Sequence, residues 1–339
     1  MASPQSQTKE TAAASTSGVA APRRGVFWAN WVIGVQGPLI GLVVLCIIFS
    51  FSTSGAFLSL RNGLNVLDQV TVLGVLSIGM TAVIISGGID LSVGSVLAFA
   101  MMVTGWLSHD CGLPLLLAIL LGIIVGAGCG LANGLLVTRA KLPPFIATLS
   151  MMTIARGLAN IITDGRQIVG YPVWFDSLAT VRYFGFFSIT VGLFIVLVIL
   201  SWFHLGYRAV GRSLYAIGGS PEVARLAGIR VRRLTTWVYV GAGILSAVAG
   251  IVLASRLDSS QPSAGLGYEL DAIAAVVIGG ASLSGGVGGI AGTVVGVFII
   301  GVLHNGLNLT GVSPFIQQVV IGVVIALAVT SDTLRRRGS

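Results

Sequence analysis

The sequence predicts an all-α polytopic membrane protein of about ten transmembrane helices, and three observations carry that prediction. Of its 339 residues, 55% are hydrophobic and 9% charged, and the mean hydropathy is +0.98, far outside the range of a soluble domain. Apolar runs of roughly 20 residues, the length that crosses a bilayer, recur along the chain with short polar punctuation between them. The runs are long and continuous rather than short and alternating, which argues against a β-barrel.

Taken in order, residues 1–34 are rich in Ala, Ser, Thr and Gln and read as a disordered cytoplasmic tail. A transmembrane domain is expected over 35–331, and its first span is Val35–Thr53. The next two, Val66–Ser86 and Leu91–Ser108, flank the stretch GGIDLSVGS at Gly87. Leu113–Thr138 closes on Asn-Gly-Leu, while Phe145–Ile162 opens behind Pro143-Pro144 and is interrupted by Arg156. Phe184–Leu205 precedes the largest polar insertion, residues 207–233, and Leu234–Leu253 follows it. Leu270–Leu283 is short, Val287–Leu309 leaves a second glycine cluster, and Phe315–Thr330 opens behind Pro314. Residues 332–339 are left as a cytoplasmic C-terminal tail.

The net charge of +8 is a topology signal rather than a nucleic-acid footprint. With the N-terminus inside and an even number of spans, Arg23, Arg24, Arg139, Lys141, Arg208, Arg212, Arg225, Arg230, Arg232, Arg233, Arg335, Arg336 and Arg337 share one side. The positive-inside rule makes that side the cytoplasm. The opposite loops hold Asp110, Asp164, Asp176 and Asp258 with few basic residues.

Enzyme chemistry is poorly supplied. There is no GxxxxGK[ST] loop, and the only lysines are Lys9 and Lys141, so no P-loop binds nucleotide. His109, His204 and His304 have no metal-ligand spacing, and Cys46, Cys111 and Cys129 read as small apolar residues. An intramembrane serine protease pairing Ser284 with His304 lacks the GxSxG context. No catalytic residue, metal or cofactor is therefore expected. Few ionisable groups lie inside the spans, chiefly Asp90, Arg156, Asp68, Glu269 and Asp271, which is thin provision for an ion-coupled carrier.

Two internal similarities compete. ANGLLVT at Ala132 with PFI at Pro144 matches HNGLNLT at His304 with PFI at Pro314, which equates spans four and five with nine and ten. That register gives two inverted five-helix repeats, a recurring transporter plan. GGIDLSVG at Gly87 also resembles GGASLSGG at Gly279, in a conflicting register about one span longer.

Within 207–233 the segment SPEVARLAG spells a short helix. Ser220 is the N-cap, Pro221 takes the first helical position, Glu222 sits near the positive end and Gly228 is the stop. Val223, Leu226 and Ala227 share a face. Such a helix needs a partner, either anionic lipid beneath its arginines or a groove on a cytoplasmic protein.

GMTAVIISGGIDLSVGSVLA, NGLLVTRAKLPPFIATLSMMTIARGLA, GRSLYAIGGSPEVARLAGI and VIGGASLSGGVGGIAGTVVG together resemble the ribose-type ABC transporter permeases. The likeness runs from about Val66 to Thr330. It implies an inner-membrane permease that pairs with itself or a close relative, with two cytoplasmic ATPase subunits and a periplasmic or lipid-anchored sugar-binding protein. It also implies a small sugar, ribose-like or another monosaccharide, as cargo. A nucleoside or other small polar solute is the alternative, and an ion-coupled carrier a more distant one. PEVARLAG matches the position of the EAA-type coupling helix of such permeases, which assigns ATPase coupling to Arg212, Ser220, Glu222, Ala224, Arg225 and Gly228. It departs from that consensus in having valine between the glutamate and the alanine.

Other residues keep two readings. Asp90 is either a cap for a helix starting at Leu91 or a pathway group. Arg156 either snorkels or pairs with an acid, or it lines the path. Phe145 and Phe315 behind their prolines are helix-start punctuation or gates, and Asn133 and Asn305 are interhelical donors or polar lining. Tyr171, Trp174 and Phe175 read as an outward aromatic belt.

Overall fold

The computed structural model describes residues 24–53 and 55–337. The tail reading for residues 1–23, and the last two residues of the C-terminal tail, lie outside them. Apart from one two-strand ribbon, the regular elements of the described chain are helices, in the order α1 (Arg24–Ser52), α2 (Leu60–Ile85), α3 (Val93–His109), α4 (Leu115–Thr138), α5 (Pro144–Ile161), β1 (Ile168–Val169) and α6 (Val173–Thr180). Then come α7 (Ile189–Tyr207), α8 (Ala209–Gly219), α9 (Pro221–Leu226), α10 (Val231–Leu257), β2 (Ser259–Ser260), α11 (Tyr268–Ile278), α12 (Ile290–Leu309) and α13 (Pro314–Arg337). Helix α1 begins well before the expected Val35, and α13 runs into the expected C-terminal tail.

Helices α2, α4, α7, α10 and α12 are long and apolar enough to cross a membrane. Of these, α2, α10 and α12 bury most of their surface and form the centre, whereas α4 and α7 turn most of theirs outward. The eighth expected span is corrected. Helix α11 has 11 residues, about 16 Å at the usual rise, roughly half of a hydrocarbon core. The chain breaks helix at Gly279 and resumes only at Ile290, because a run of glycines there gives the helix nothing to hold it.

The bundle has two ends. Helices α8 and α9, the end of α2 and the starts of α10 and α12 lie at one; the β1–β2 ribbon, α6 and the starts of α2 and α11 lie toward the other. At the α8–α9 end the basic residues Arg139, Lys141, Arg208, Arg212, Arg225, Arg230, Arg232 and Arg233 gather, as the charge pattern predicts. Both glycine breaks, 86–92 and 279–289, also reach this end. Inverted counterparts would lie at opposite ends, so GGIDLSVG and GGASLSGG are not related that way.

Helices α4 and α10 approach closely along a long seam. Gly122, Gly126, Gly130 and Gly134 recur every four residues on α4 and are all buried. A Cβ on Gly130 would lie 2.2 Å from the Tyr239 carbonyl oxygen, and one on Gly243 2.2 Å from that of Gly126. In lipid, where apolar side chains gain nothing by leaving solvent, such small-residue seams bring backbones together.

At the ribbon end, Ile168–Ser260 and Val169–Ser259 pair antiparallel. The expected aromatic belt is instead partly a plug. Phe175 is fully buried, its ring 4.9 Å from Tyr171 and 5.9 Å from Trp174, and its carbonyl accepts from Ser255 Oγ at 2.6 Å. Only Trp174 reaches outward. The expected sixth span starts late because Phe184 and Gly185, both at positive φ, form a tight turn between Tyr183 and Phe187. Arg182 ties that turn to α2 through a two-point ion pair with Asp68.

Candidate functional site

At the α8–α9 end, local chemistry builds a small protruding helix. Ser220, extended at φ −162°, caps α9 by accepting from Val223 N at 3.3 Å, and Pro221 follows at the first helical position. Gly228 sits at φ +82°. Its N–H bonds the Arg225 carbonyl at 3.0 Å and that of Ile229 the Ala224 carbonyl at 3.0 Å, the paired bonds of a Schellman stop. Val223 and Leu226 project outward, at 64% and 84% exposure, with Glu222 and Arg225 exposed beside them. Ala224 does not belong to that outer face. It is 2% exposed and packs inward under the helix, so it shapes α9 rather than offering a contact.

Helix α8 connects this knob to the bundle. It buries Gly211, Leu214 and Ile217 and leaves Arg212 outside, where the guanidinium reaches back to the Tyr207 carbonyl at 3.3 Å. Near its end, Gly218 lies against both glycine breaks. A Cβ there would fall 1.9 Å from the Ile85 carbonyl oxygen and 2.4 Å from Gly286 N, two atoms that hydrogen-bond each other at 2.9 Å. Tyr215 donates to the Gly288 carbonyl at 2.8 Å, and burial pushes its hydroxyl pKa above the ordinary range. Sequence reasoning missed Gly218 and Tyr215. Their signal is present as the GG pairs at 87, 218, 279 and 285, but not the fact that they meet.

Asp90 is not a cap. Helix α3 starts at Val93, and the Asp90 carboxylate accepts instead from Ser92 N at 2.9 Å and Ser92 Oγ at 2.6 Å, closing a local turn. Asn133 of α4 donates to Ser92 Oγ at 2.9 Å, which ties the break to α4, while Thr148 of α5 donates to the Ile89 carbonyl at 3.2 Å. Asp90 is 2% exposed. The expected result is that Asp90→Asn, which keeps an acceptor oxygen, folds and transports nearly normally. Asp90→Ala should cost about 1–3 kcal/mol by stranding the Ser92 donors. Thermal melting of the two purified variants checks this, and equal loss in both would mean that the charge itself is required.

The remaining candidates scatter. Asn305 is not joined to Asn133; at the other end of the bundle it exchanges two 2.9 Å hydrogen bonds with Asn62 at the start of α2. Arg156 pairs with no acid and bonds the carbonyls of Pro262 and Ala264, the latter at 2.8 Å. Phe145 and Phe315, 51% and 79% exposed, start α5 and α13 at opposite ends. Helix α5 nonetheless exposes Ser150, Thr153, Gly157 and Asn160 along one stripe that begins at Ile146, with Leu149 on one side of it and Ile154, Leu158 and Ile161 on the other. Among the described residues no group of His, Cys, Asp and Glu is arranged to hold a metal.

The site is thus a protruding capped helix joined through α8 to two breaks in the helices of the core. A family model described as the permease component of branched-chain amino acid transport systems matches residues 62–329. The ribose import permease of Bacillus subtilis (strain 168) is 49% identical over 299 residues, covering 87% of this chain and 92% of that one. The chain belongs to the carbohydrate ABC transporter permease family. The ribose import permease of Escherichia coli (strain K12) is 40% identical over 323 residues, 92% of this chain and 98% of that one. The fructose import permease of Rhizobium meliloti is 37% identical over 308 residues, 88% and 85%. No solved structure matches the chain. As a permease of this family the protein is an integral membrane transport subunit rather than an enzyme, and ATP hydrolysis belongs to a separate subunit.

Proposed function

We propose that this permease forms half of the translocation path of a bacterial sugar importer, carrying ribose or a related monosaccharide. The observation that carries the mechanism is the contact of Gly218 with both glycine breaks. A partner ATPase that grips Val223 and Leu226 moves α9 and α8, and α8 moves the two places where the membrane helices are interrupted. Arg212, Glu222 and Arg225 rim the gripped surface, and Ser220 and Gly228 hold its shape.

The path itself is best placed on α5. A face of Ser150, Thr153, Gly157 and Asn160 is poor company for lipid, and its apolar neighbours on the same helix are good company. The polar face therefore turns toward a second permease, a copy of this chain or a close relative, and the water between them. Phe145 and Phe315 stand at the rims as gates, and the outer face of α7 meets lipid. Asn133 near the α8–α9 end of α4 and Asn305 near the far end of α12 are consistent with two inverted five-segment repeats. The α8–α9 end and both termini are cytoplasmic, and the ribbon end meets the sugar-binding protein.

The test is reconstitution with the cognate ATPase and binding protein in proteoliposomes. ATP-dependent uptake of labelled ribose is expected; no uptake of ribose, xylose or fructose in the complete system refutes the reading. Orientation has its own expected result. In a cysteine-free background, an impermeant thiol reagent on intact cells should label a cysteine at Thr180 and spare one at Ala227, both exposed positions. The reverse pattern would invert the topology.

A further inference from the structure

The charged side chains Arg156 and Glu269 lie on α5 and in the first turn of α11, each close enough to act on the other electrostatically, yet they form no ion pair. Arg156 uses one nitrogen, Nη1, on the carbonyls of Pro262 and Ala264. Its Nε and Nη2 are buried without a partner, and so is Glu269 Oε2. Charged groups left unsatisfied inside a membrane protein are costly, and they persist where something else completes them in the working cycle.

The backbone is shaped to hold them there. Residues 261–267 descend in irregular conformation from β2 to α11 and cross the start of α3 where Gly94 meets Gly265. A Cβ on Gly94 would fall 2.3 Å from the Gly265 carbonyl oxygen and 2.6 Å from Glu269 Oε2. Gly94 is the second-to-last residue of GGIDLSVGS. The end of that motif thus makes the room in which the Glu269 carboxylate sits, while Arg156 holds the crossing segment from the other side. Arg156 also flanks the polar face of α5.

Resting on the importer reading above, we propose that Arg156 and Glu269 are specificity-determining residues, a station that reads the hydroxyls of a neutral monosaccharide as it passes. The chemistry is complementary. A carboxylate accepts two hydrogen bonds from vicinal hydroxyls, and a guanidinium donates to hydroxyl or ring oxygens in a fixed plane. A neutral polyol supplies both without adding charge, so it completes the two residues without the cost of burying an ion. The orphan atoms are covered in this conformation, so the station is closed here and opens when α5 and the 261–267 segment part. Occupancy is expected to be weak, since cargo must leave as readily as it enters.

The experiment uses the permease assembled with its ATPase in nanodiscs, both nucleotide-free and vanadate-trapped, with D-ribose and 2-deoxy-D-ribose as probes. Saturation-transfer NMR should show saturable ribose contact in at least one state, weaker for the deoxy sugar. Glu269→Gln and Arg156→Gln should abolish the signal and lower ribose uptake about tenfold or more, with ATPase stimulation by loaded binding protein within about twofold of wild type. Gly94→Ala, whose methyl would press on both the Gly265 carbonyl and the Glu269 carboxylate while leaving both charges in place, should weaken the signal in the same way. To separate misfolding from loss of recognition, each variant is compared only when it is monodisperse and melts near wild type; Arg156→Lys and Glu269→Asp, which keep the charges, then serve as the second pair and should shift the ribose to deoxyribose ratio. Wild-type uptake of ribose with neither signal nor uptake altered by any of these changes overturns the station and leaves the importer reading standing. Failure of wild-type uptake in the complete system overturns both.

Discussion

Gly218→Ala is expected to reduce ATP-driven uptake to less than about a tenth of wild type while the protein still inserts and dimerises. The added methyl would sit 1.9 Å from the Ile85 carbonyl oxygen and 2.4 Å from Gly286 N. Neither is the flexible end of a side chain. The bond between those two atoms must break or α8 must lift away, a strain of about 1–3 kcal/mol by the usual cost of overpacking. Either movement slackens the point at which α8 lies against both glycine breaks. Gly219→Ala is the internal control, since a Cβ there meets nothing within 4 Å. Uptake and binding-protein-stimulated ATPase activity are the measurements. Wild-type behaviour of Gly218→Ala would mean that the working complex does not transmit movement through this point.

The second large effect is expected at the knob. Leu226→Asp should weaken association with the cognate ATPase about 30-fold, the factor that corresponds to roughly 2 kcal/mol at a central contact. Leu226 is 84% exposed, so its replacement leaves the fold of α9 alone. Ala224→Arg also breaks coupling, but by a different route: the side chain has no space beneath the helix, and α9 is forced from its seat. Hydrogen exchange separates the two, with faster exchange across 221–229 in Ala224→Arg and none in Leu226→Asp. Normal ATPase binding by Leu226→Asp would reassign α9 to the lipid surface.

Much of this was legible in the sequence because its cause is local. Ser220, Pro221 and Gly228 specify α9 by cap, fixed φ and left-handed stop, and the structure carries all three. Hydropathy likewise identifies α2, α4, α7, α10 and α12, whose apolar length is a property of consecutive residues. The misreadings concern matters that depend on distant partners. Leu270–Leu283 is apolar enough to suggest a span, and only the packing of α11 against α12 shows that a half-length helix suffices. Asp90 precedes a helix start and so looked like a cap, yet Ser92 and Asn133 take it into a turn that no periodicity announces. The pairing of Asn305 with Asn62 spans most of the chain, and hydropathy holds no trace of it.

The α4–α10 seam also bears on how this protein can change over time. Gly126, Gly130, Gly134 and Gly243 sit where a single added carbon would overlap a neighbouring backbone, and glycine has no smaller residue to give way to. Every mutation at these positions is therefore an enlargement, and a compensating change on the facing helix cannot make room when the obstacle is main chain. Gly128 on α4 and Gly241 on α10, with open space around them, carry no such restriction. Drift should thus run freely at one set of glycines and be halted at the other within the same helices, and a saturation library selected for uptake would separate the two sets without reference to any ligand.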